Sequence, residues 1–367
     1  MTNFDYQSRL NKVASTLAMA DADAVLITPG ADLRYLTGYD ALPLERLTCL
    51  ALTSAGKATL FVPRLELPAA QVHQLDRYGI EVLAWDETDD PFGLVHSVIG
   101  PLRQILVSDQ MWAQKVLAFQ TVFASEVHAA GPLLSAVRSV KDSVEIEAIA
   151  AAGRAIDTVH NRVGDWLRPG RTEREVGRDI AEAIIDSGHS TVDFVIVASG
   201  PNGASPHHEV SDRVIQAGEP VVVDIGGTMS SGYCSDSTRV YSCGDPGAQY
   251  REAYEILKVA QSTTIATAHV GQTGAQVDAI SRDILTEHAL GEFFIHRTGH
   301  GLGLETHEEP YIVASNHVPL VTGNVFSVEP GFYIEGKYGA RIEDIVALTE
   351  SGLVNFNNTS HDLTIFE

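Results

Sequence analysis

Two pairs of acidic residues sit inside strongly apolar runs. Val221-Val222-Val223-Asp224-Ile225-Gly226-Gly227 reads as a buried strand ending in glycines, and residues 232–241 read as its return strand. With the turn centred on Ser230, Asp224 and Asp236 stand directly opposite each other. Opposed residues of an antiparallel pair share a face, with Cβ atoms about 5 Å apart. A second hairpin, with residues 327–331 leading in, 340–344 leading out and Gly336 in the middle, makes Glu329 and Glu343 symmetric in the same way. Carboxylates this close repel, and a shared proton or a bound cation would compensate. One such pair is consistent with two solvated side chains; two pairs, each within apolar strands, weigh against that reading.

Between the hairpins lies His296-Arg297-Thr298-Gly299-His300-Gly301, followed by Thr306-His307-Glu308-Glu309-Pro310. A lone histidine is more often a satisfied core group than a ligand. The glycines flanking His300 shift that balance, because they let the backbone approach whatever the imidazole binds. Four carboxylates with one or more imidazoles form an oxygen-rich donor set. It suits two divalent cations of the Mn²⁺, Co²⁺ or Zn²⁺ type, whose charge the four carboxylates balance. Cys234 shares a strand face with Asp236 but reads as a small buried hydrophobe.

These residues need rigid elements behind them. Asp142-Ser143-Val144-Glu145 opens a long helix as a capping box, with Pro169-Gly170 as its expected stop. Thr172-Glu173-Arg174-Glu175 opens a second helix, which Gly188 ends, and the strands around 221–241 follow. The order then repeats. Asp245-Pro246 predicts a helix to about His269, Thr273-Gly274 opens another, and residues 325–348 are again strand-rich. Two rounds of helix, helix and hairpin predict an internally duplicated α+β domain over 136–367. Residues 1–135 alternate short apolar runs (24–27, 48–52, 58–62, 80–83, 105–108) with helical patterns, which predicts an α/β domain. Its polar residues form no cluster with catalytic spacing, so it reads as a structural or substrate-capping domain.

The second domain resembles the pita-bread metallopeptidases: methionine aminopeptidase, aminopeptidase P, prolidase and the metal-free creatinase. Asp224, Asp236, His300, Glu329 and Glu343 match the family's five metal ligands in order, in Glu-Pro-Gly and Arg-Ile-Glu-Asp contexts. The aspartate pair is one residue further apart than the family spacing, which implies a longer hairpin tip at Ser230-Ser231. His207, His296 and His307 match the further histidines of the proline-specific branch, and Tyr333 and Arg341 its supporting positions. His208 has no counterpart and reads as an ordinary loop histidine. Asp32-Leu33-Arg34-Tyr35-Leu36-Thr37-Gly38 is similar to the start of a creatinase-type N-terminal domain.

The resemblance implies a creatinase-type α/β domain followed by a pita-bread catalytic domain, and a dinuclear metallopeptidase acting before proline. The hydrolase would be an Xaa-Pro aminopeptidase or an Xaa-Pro dipeptidase, a homodimer with two Mn²⁺ ions. By the same resemblance Asp236 and Glu343 bridge the metals, Glu329 shuttles a proton, and His307 stabilises the oxyanion. His207, His296, Tyr311 and Tyr333 would face the substrate, and Arg341 would orient the carboxylates. Some prolidases carry an arginine just after the His-Glu-x-Pro motif, where it grips the dipeptide's carboxylate. Tyr311 occupies that place here, so the expectation is that peptides longer than two residues are accepted.

Charge excludes other classes. Asp plus Glu is 48 against 25 Lys plus Arg, a formal net charge of −23, which repels phosphate backbones and anionic membranes. A dinuclear phosphoesterase would want more histidines and some basic residues. A metal-free binding protein on the same fold would not need all five ligands. Three scattered cysteines favour a reducing compartment. Residues 1–20 lack the apolar core of a signal peptide, and no apolar stretch nears the ~20 residues of a membrane span, so the expectation is a soluble cytoplasmic protein.

Overall fold

In the computed structural model, which describes residues 4–366, the apolar tetrapeptide Ala24–Ile27 forms strand β1 with every residue buried. The hairpin expected around residues 54–57 joins β2 (Cys49–Thr53) antiparallel to β3 (Ala58–Pro63). With β4 (Ile80–Trp85), β5 (Gln104–Val107) and β6 (Glu126–Ala129), the sheet has the order β4-β3-β2-β1-β5-β6. Leu26, Phe61, Trp85 and Phe119 lie in one core cluster of this unit. Strand β6 gave no sequence signal: it is an edge strand whose side chains are mostly exposed, so no apolar alternation marks it. The chain divides into compact units between Arg138 and Ser139.

The second unit begins with the helix Ser143–His160, whose capping box is formed by Asp142 and Glu145. This helix ends earlier than Pro169. Asn161 caps it, and a 3₁₀ turn (Val163–Asp165) drops Val163 into the core beside Ile156 and Val159. Burial of Val163 redirects the chain before the proline is reached. The next helix, Glu173–Asp186, has the expected Thr172–Glu175 capping box. Strands β7 (His189–Ser199), β8 (Pro220–Met229) and β9 (Ser237–Cys243) follow.

The second round opens with the helix Ala248–Thr267. Its N-cap is Gly247 rather than Asp245, because the Asp245 carboxylate accepts the Gly247 N–H and the turn places the glycine at φ 92°. The helix Gly274–Glu287 again has a capping box, Thr273 with Gln276. Strands β10 (Gly299–Gly301), β11 (Glu308–Ile312), β12 (Val325–Val328), β13 (Gly331–Ile334), β14 (Tyr338–Arg341), β15 (Asp344–Thr349) and β16 (Gly352–Asn355) follow, with β17 (Thr364–Phe366) last. They form one sheet in the order β11-β10-β12-β15-β16, while β17 joins a sheet β17-β9-β8-β7 and β13 pairs with β14 alone. The bridge between Thr238 and Glu343 and the parallel pairing of β17 with β9 tie the two halves together.

One register differs from expectation. Asp224 pairs with Thr238, not with Asp236. The bridge Thr228–Cys234 puts the hairpin centre at Ser231, so Asp236 sits two positions along from the partner of Asp224. A shift of two keeps the same face, which is why both carboxylates still reach one site. The second hairpin has the expected centre: Val328 pairs with Asp344 and Gly331 with Arg341, which leaves Glu329 and Glu343 symmetric about Gly336.

Candidate active site

Strand β8 is buried along the whole stretch 220–227; a doubly covered strand is apolar on both faces, and Asp224 is the charged exception within it. A carboxylate in that position needs strong partners. Arg341 Nη2 donates to Asp224 Oδ2, while Asp224 Oδ1 is buried with no hydrogen-bond partner. Asp236 and Glu343 are both buried too, and the Glu343 carboxylate accepts from Thr238 Oγ1 at 2.7 Å. Glu329 follows β12, and its carboxylate lies 3.1 Å from His300 Nε2.

His300 is held at the centre of the three-residue strand β10. The flanking glycines serve a purpose other than the expected one. A Cβ on Gly299 would lie 1.8 Å from the Ser327 carbonyl oxygen, and one on Gly301 would lie 2.3 Å from that of Glu309. They admit the two neighbouring strands rather than a ligand.

Three overlapping groups of donors result: Asp224, Asp236 and Glu343; His300, Glu329 and Glu343; and Asp236, His300 and His307. Within each group the donor atoms lie within 4.8 Å of one another. Burial, then the charges of Glu343, Asp224 and Glu329, push the Asp236 carboxyl well above its ordinary range. Glu343 is raised by burial and by Glu329 and Asp224. Burial opposes ionisation of Glu329 as well, but the adjacent His300 holds it down at about 2. Crowded like charges, with one orphaned oxygen on Asp224, are what divalent cations would satisfy. The residues present fit such ions.

Around this centre one cavity of about 930 Å³ is lined by His207, His296, His307 and Arg341 together with the five candidate ligands. His296 Nε2 lies 2.8 Å from the Tyr333 hydroxyl, which accepts from Arg341 Nη1 at 2.7 Å. Tyr333 thus stands behind the cavity wall, fixing His296 and Arg341. Burial lowers the pKa of His296, and burial beside His300 and Arg297 lowers that of His307 to about 4. Tyr311 also stands outside the lining, beneath the Arg297 guanidinium.

Sequence reasoning passed over several residues here. His208 lines the cavity and bonds to Glu173, 2.8 Å from Nε2 to Oε2. Glu173 is fully buried and also accepts from Ser199, Asn202 and Ser211. Arg297 lines the cavity as well, and its place between His296 and His300 was the signal available for it.

The model of the Creatinase/Prolidase N-terminal domain matches residues 9–140, and that of metallopeptidase family M24 matches residues 147–350. The chain belongs to metallopeptidase family M24. A probable dipeptidase PepE of Mycobacterium tuberculosis (strain ATCC 25618 / H37Rv) is 49% identical over 98% of this chain and 96% of its own. An Xaa-Pro dipeptidase of Lactobacillus delbrueckii subsp. lactis is 32% identical over 97% of this chain and 98% of its own. Among solved structures, dipeptidase PepE from Mycobacterium ulcerans superposes with a TM-score of 0.94 at 48% identity, covering 98% of both chains. A recombinant prolidase from Thermococcus sibiricus gives 0.92 at 36% identity, covering 99% of this chain and 100% of that one. This M24 metallopeptidase therefore has the expected two-part architecture, a creatinase-type N-terminal domain before a pita-bread catalytic domain. No helix among the described residues is long and apolar enough to cross a membrane.

Proposed function

We propose that this metallopeptidase is an Xaa-Pro peptidase, hydrolysing the peptide bond before proline. The relatives named Xaa-Pro dipeptidase and prolidase support the substrate class. The observation that carries the chemistry is the convergence of Asp224, Asp236, His300, Glu329 and Glu343 on one cavity. These five would hold two divalent ions, Mn²⁺ foremost and Co²⁺ or Zn²⁺ next. When bound, such ions supply a hydroxide-like nucleophile near neutral pH and polarise the scissile carbonyl.

The protein's own groups do the rest. Glu329 takes the proton released from the attacking water and passes it toward the leaving proline nitrogen. His307 donates an N–H to the carbonyl oxygen as negative charge develops there, an interaction strongest in the transition state. His207 and His296 flank the proline ring, and the Tyr333 hydroxyl and Arg341 fix the ring of His296. Arg341, through Asp224 and Thr238, orients the carboxylates. Catalysis is assigned to residues 136–367, with residues 1–135 as a structural or substrate-capping domain. A homodimer in the cytoplasm belongs to the same proposal; three buried free cysteines suit a reducing compartment.

A peptide panel tests the assignment. With added Mn²⁺, Ala-Pro should be hydrolysed and Ala-Ala and a phosphate monoester left intact. Equal cleavage of Ala-Ala would refute proline specificity.

A further inference from the structure

His207 and His208 follow the 3₁₀ turn Gly200–Ala204, and both line the cavity. His207 is exposed, and the backbone on either side of it belongs to no helix or strand. Among the described residues no hydrogen bond holds its ring. The anchor lies one residue on. His208 Nε2 is 2.8 Å from Glu173 Oε2, and a carboxylate only accepts, so the ring nitrogen donates. Only 16% of the His208 side chain is exposed, so the residue spans from the cavity to the core behind it. Glu173 opens the helix Glu173–Asp186, and its side chain is fully buried. The same carboxylate accepts from Ser199 N, Ser199 Oγ, Asn202 Nδ2 and Ser211 Oγ, and Arg213 Nη1 donates to Ser199 Oγ at 2.7 Å in turn.

On the reading that His207 flanks the proline ring of the substrate, we infer that His208 is a positioning residue: anchored on Glu173, it fixes the segment that carries His207 and so sets how tightly the substrate binds. An exposed ring on an irregular segment samples many poses, and substrate binding must then select one of them. An anchor on the adjacent residue removes part of that cost before the substrate arrives. Glu173 is suited to be the fixed point. A buried ionised carboxylate demands strong donors and holds them in one arrangement, and a helix N-terminus favours its charge. His208 and Ser211 both donate to Oε2, so the stretch 208–211 is clamped at its two ends on one oxygen. Ser199 and Asn202 tie the same carboxylate to the end of β7 and to the turn before the segment. The Nε2 proton of His208 is committed to Glu173, so its influence on the substrate passes through its neighbour. What the position requires is an N–H delivered to Glu173, not an imidazole as such.

The test measures Ala-Pro hydrolysis with Mn²⁺ by the wild type, His208→Leu, His208→Gln, His207→Ala and the double variant of His207→Ala with His208→Leu. His208→Leu should raise KM by about 10-fold and change kcat by less than about twofold, as expected when binding common to ground and transition states is lost. His208→Gln, whose amide can donate to Glu173 from the same place, should recover most of the loss. In the His207→Ala background, His208→Leu should raise KM by less than about twofold further, because the residue it positions is gone. KM does not depend on how much enzyme is folded, so a poor yield does not imitate the effect. If His208→Leu does not fold, His208→Ala, which also lacks the donor, should show the same rise. An unchanged KM in the variants without the donor overturns the inference, and so does a rise of the same size on top of His207→Ala. An unchanged KM in His207→Ala removes that histidine from the substrate site and overturns the inference with it. A wild type that leaves Ala-Pro intact overturns the proposed function as well, which distinguishes that failure from failure of His208 alone.

Discussion

Lys141 Nζ donates to Glu308 Oε1 at 2.6 Å, with both side chains buried, and Glu308 is the residue directly after His307. Glu308 also pairs across β10 and β11 with Gly301, the neighbour of His300. One ion pair thus anchors the segment that carries both histidines to the start of the catalytic unit. Lys141→Met should take a buried counter-charge from the Glu308 carboxylate and lower the unfolding free energy, by up to about 3–5 kcal/mol. The double variant with Glu308→Leu should recover a large part of that loss. Denaturant titration of the three proteins checks it; an undiminished midpoint in Lys141→Met would show that the pair holds nothing in place.

The rings of His300 and His307 meet edge to face with centroids 4.0 Å apart, yet their assigned roles differ. His307→Ala should reduce turnover by about 100-fold or more while metal content stays normal, as for a lost oxyanion donor. His300→Ala should lose metal as well as activity. Elemental analysis of the two variants beside their kcat values decides the matter, and equal metal loss in both would remove the distinction.

Glu173 sets up a dependence of stability on pH. Burial pushes its carboxyl up, but hydrogen bonds from Ser211, Ser199 and His208 more than offset this and hold it below its ordinary value of 4.5. A depressed folded-state pKa contributes stability that is present above the unfolded value and is lost as pH falls through the folded one. The stability gap between wild type and Glu173→Gln should therefore be largest near neutral pH and shrink below about pH 4.5. Unfolding curves collected from pH 3 to pH 7 would show it; a gap that widens on acidification would reverse the sign argued here.

Metal removal should lower the unfolding temperature, because four crowded carboxylates then face one another without counter-ions. Calorimetry with Mn²⁺ and after exhaustive chelation measures the shift. Identical transitions would argue that the cluster is satisfied without ions.

Much of the site was legible because its residues violate their surroundings. Asp224 interrupts a run of valines, and Glu329 and Glu343 stand symmetrically about Gly336, so local pattern alone exposes them. The capping boxes at Asp142, Thr172 and Thr273 are equally local and form as expected. What stayed hidden depends on contacts distant in sequence. Lys141 and Glu308 are 167 residues apart, and Glu173 and His208 are 35 apart, so no spacing rule joins them. The position of Asp236 depended on where the hairpin tip turned, and a shift of that centre by one residue moves its partner by two. Arg297 meets the Tyr311 ring only through the fold of the segment between them.

The central claim is that cleavage before proline depends on ions held by the five-residue cluster. The direct measurement is the rate of Ala-Pro hydrolysis by exhaustively chelated protein as Mn²⁺ is added back, run beside Asp236→Ala and Glu343→Ala. The wild type should be inactive without metal and recover on titration, and neither variant should recover at any Mn²⁺ concentration. Full hydrolysis by the chelated wild type, or recovery of either variant to wild-type rates, would contradict the account.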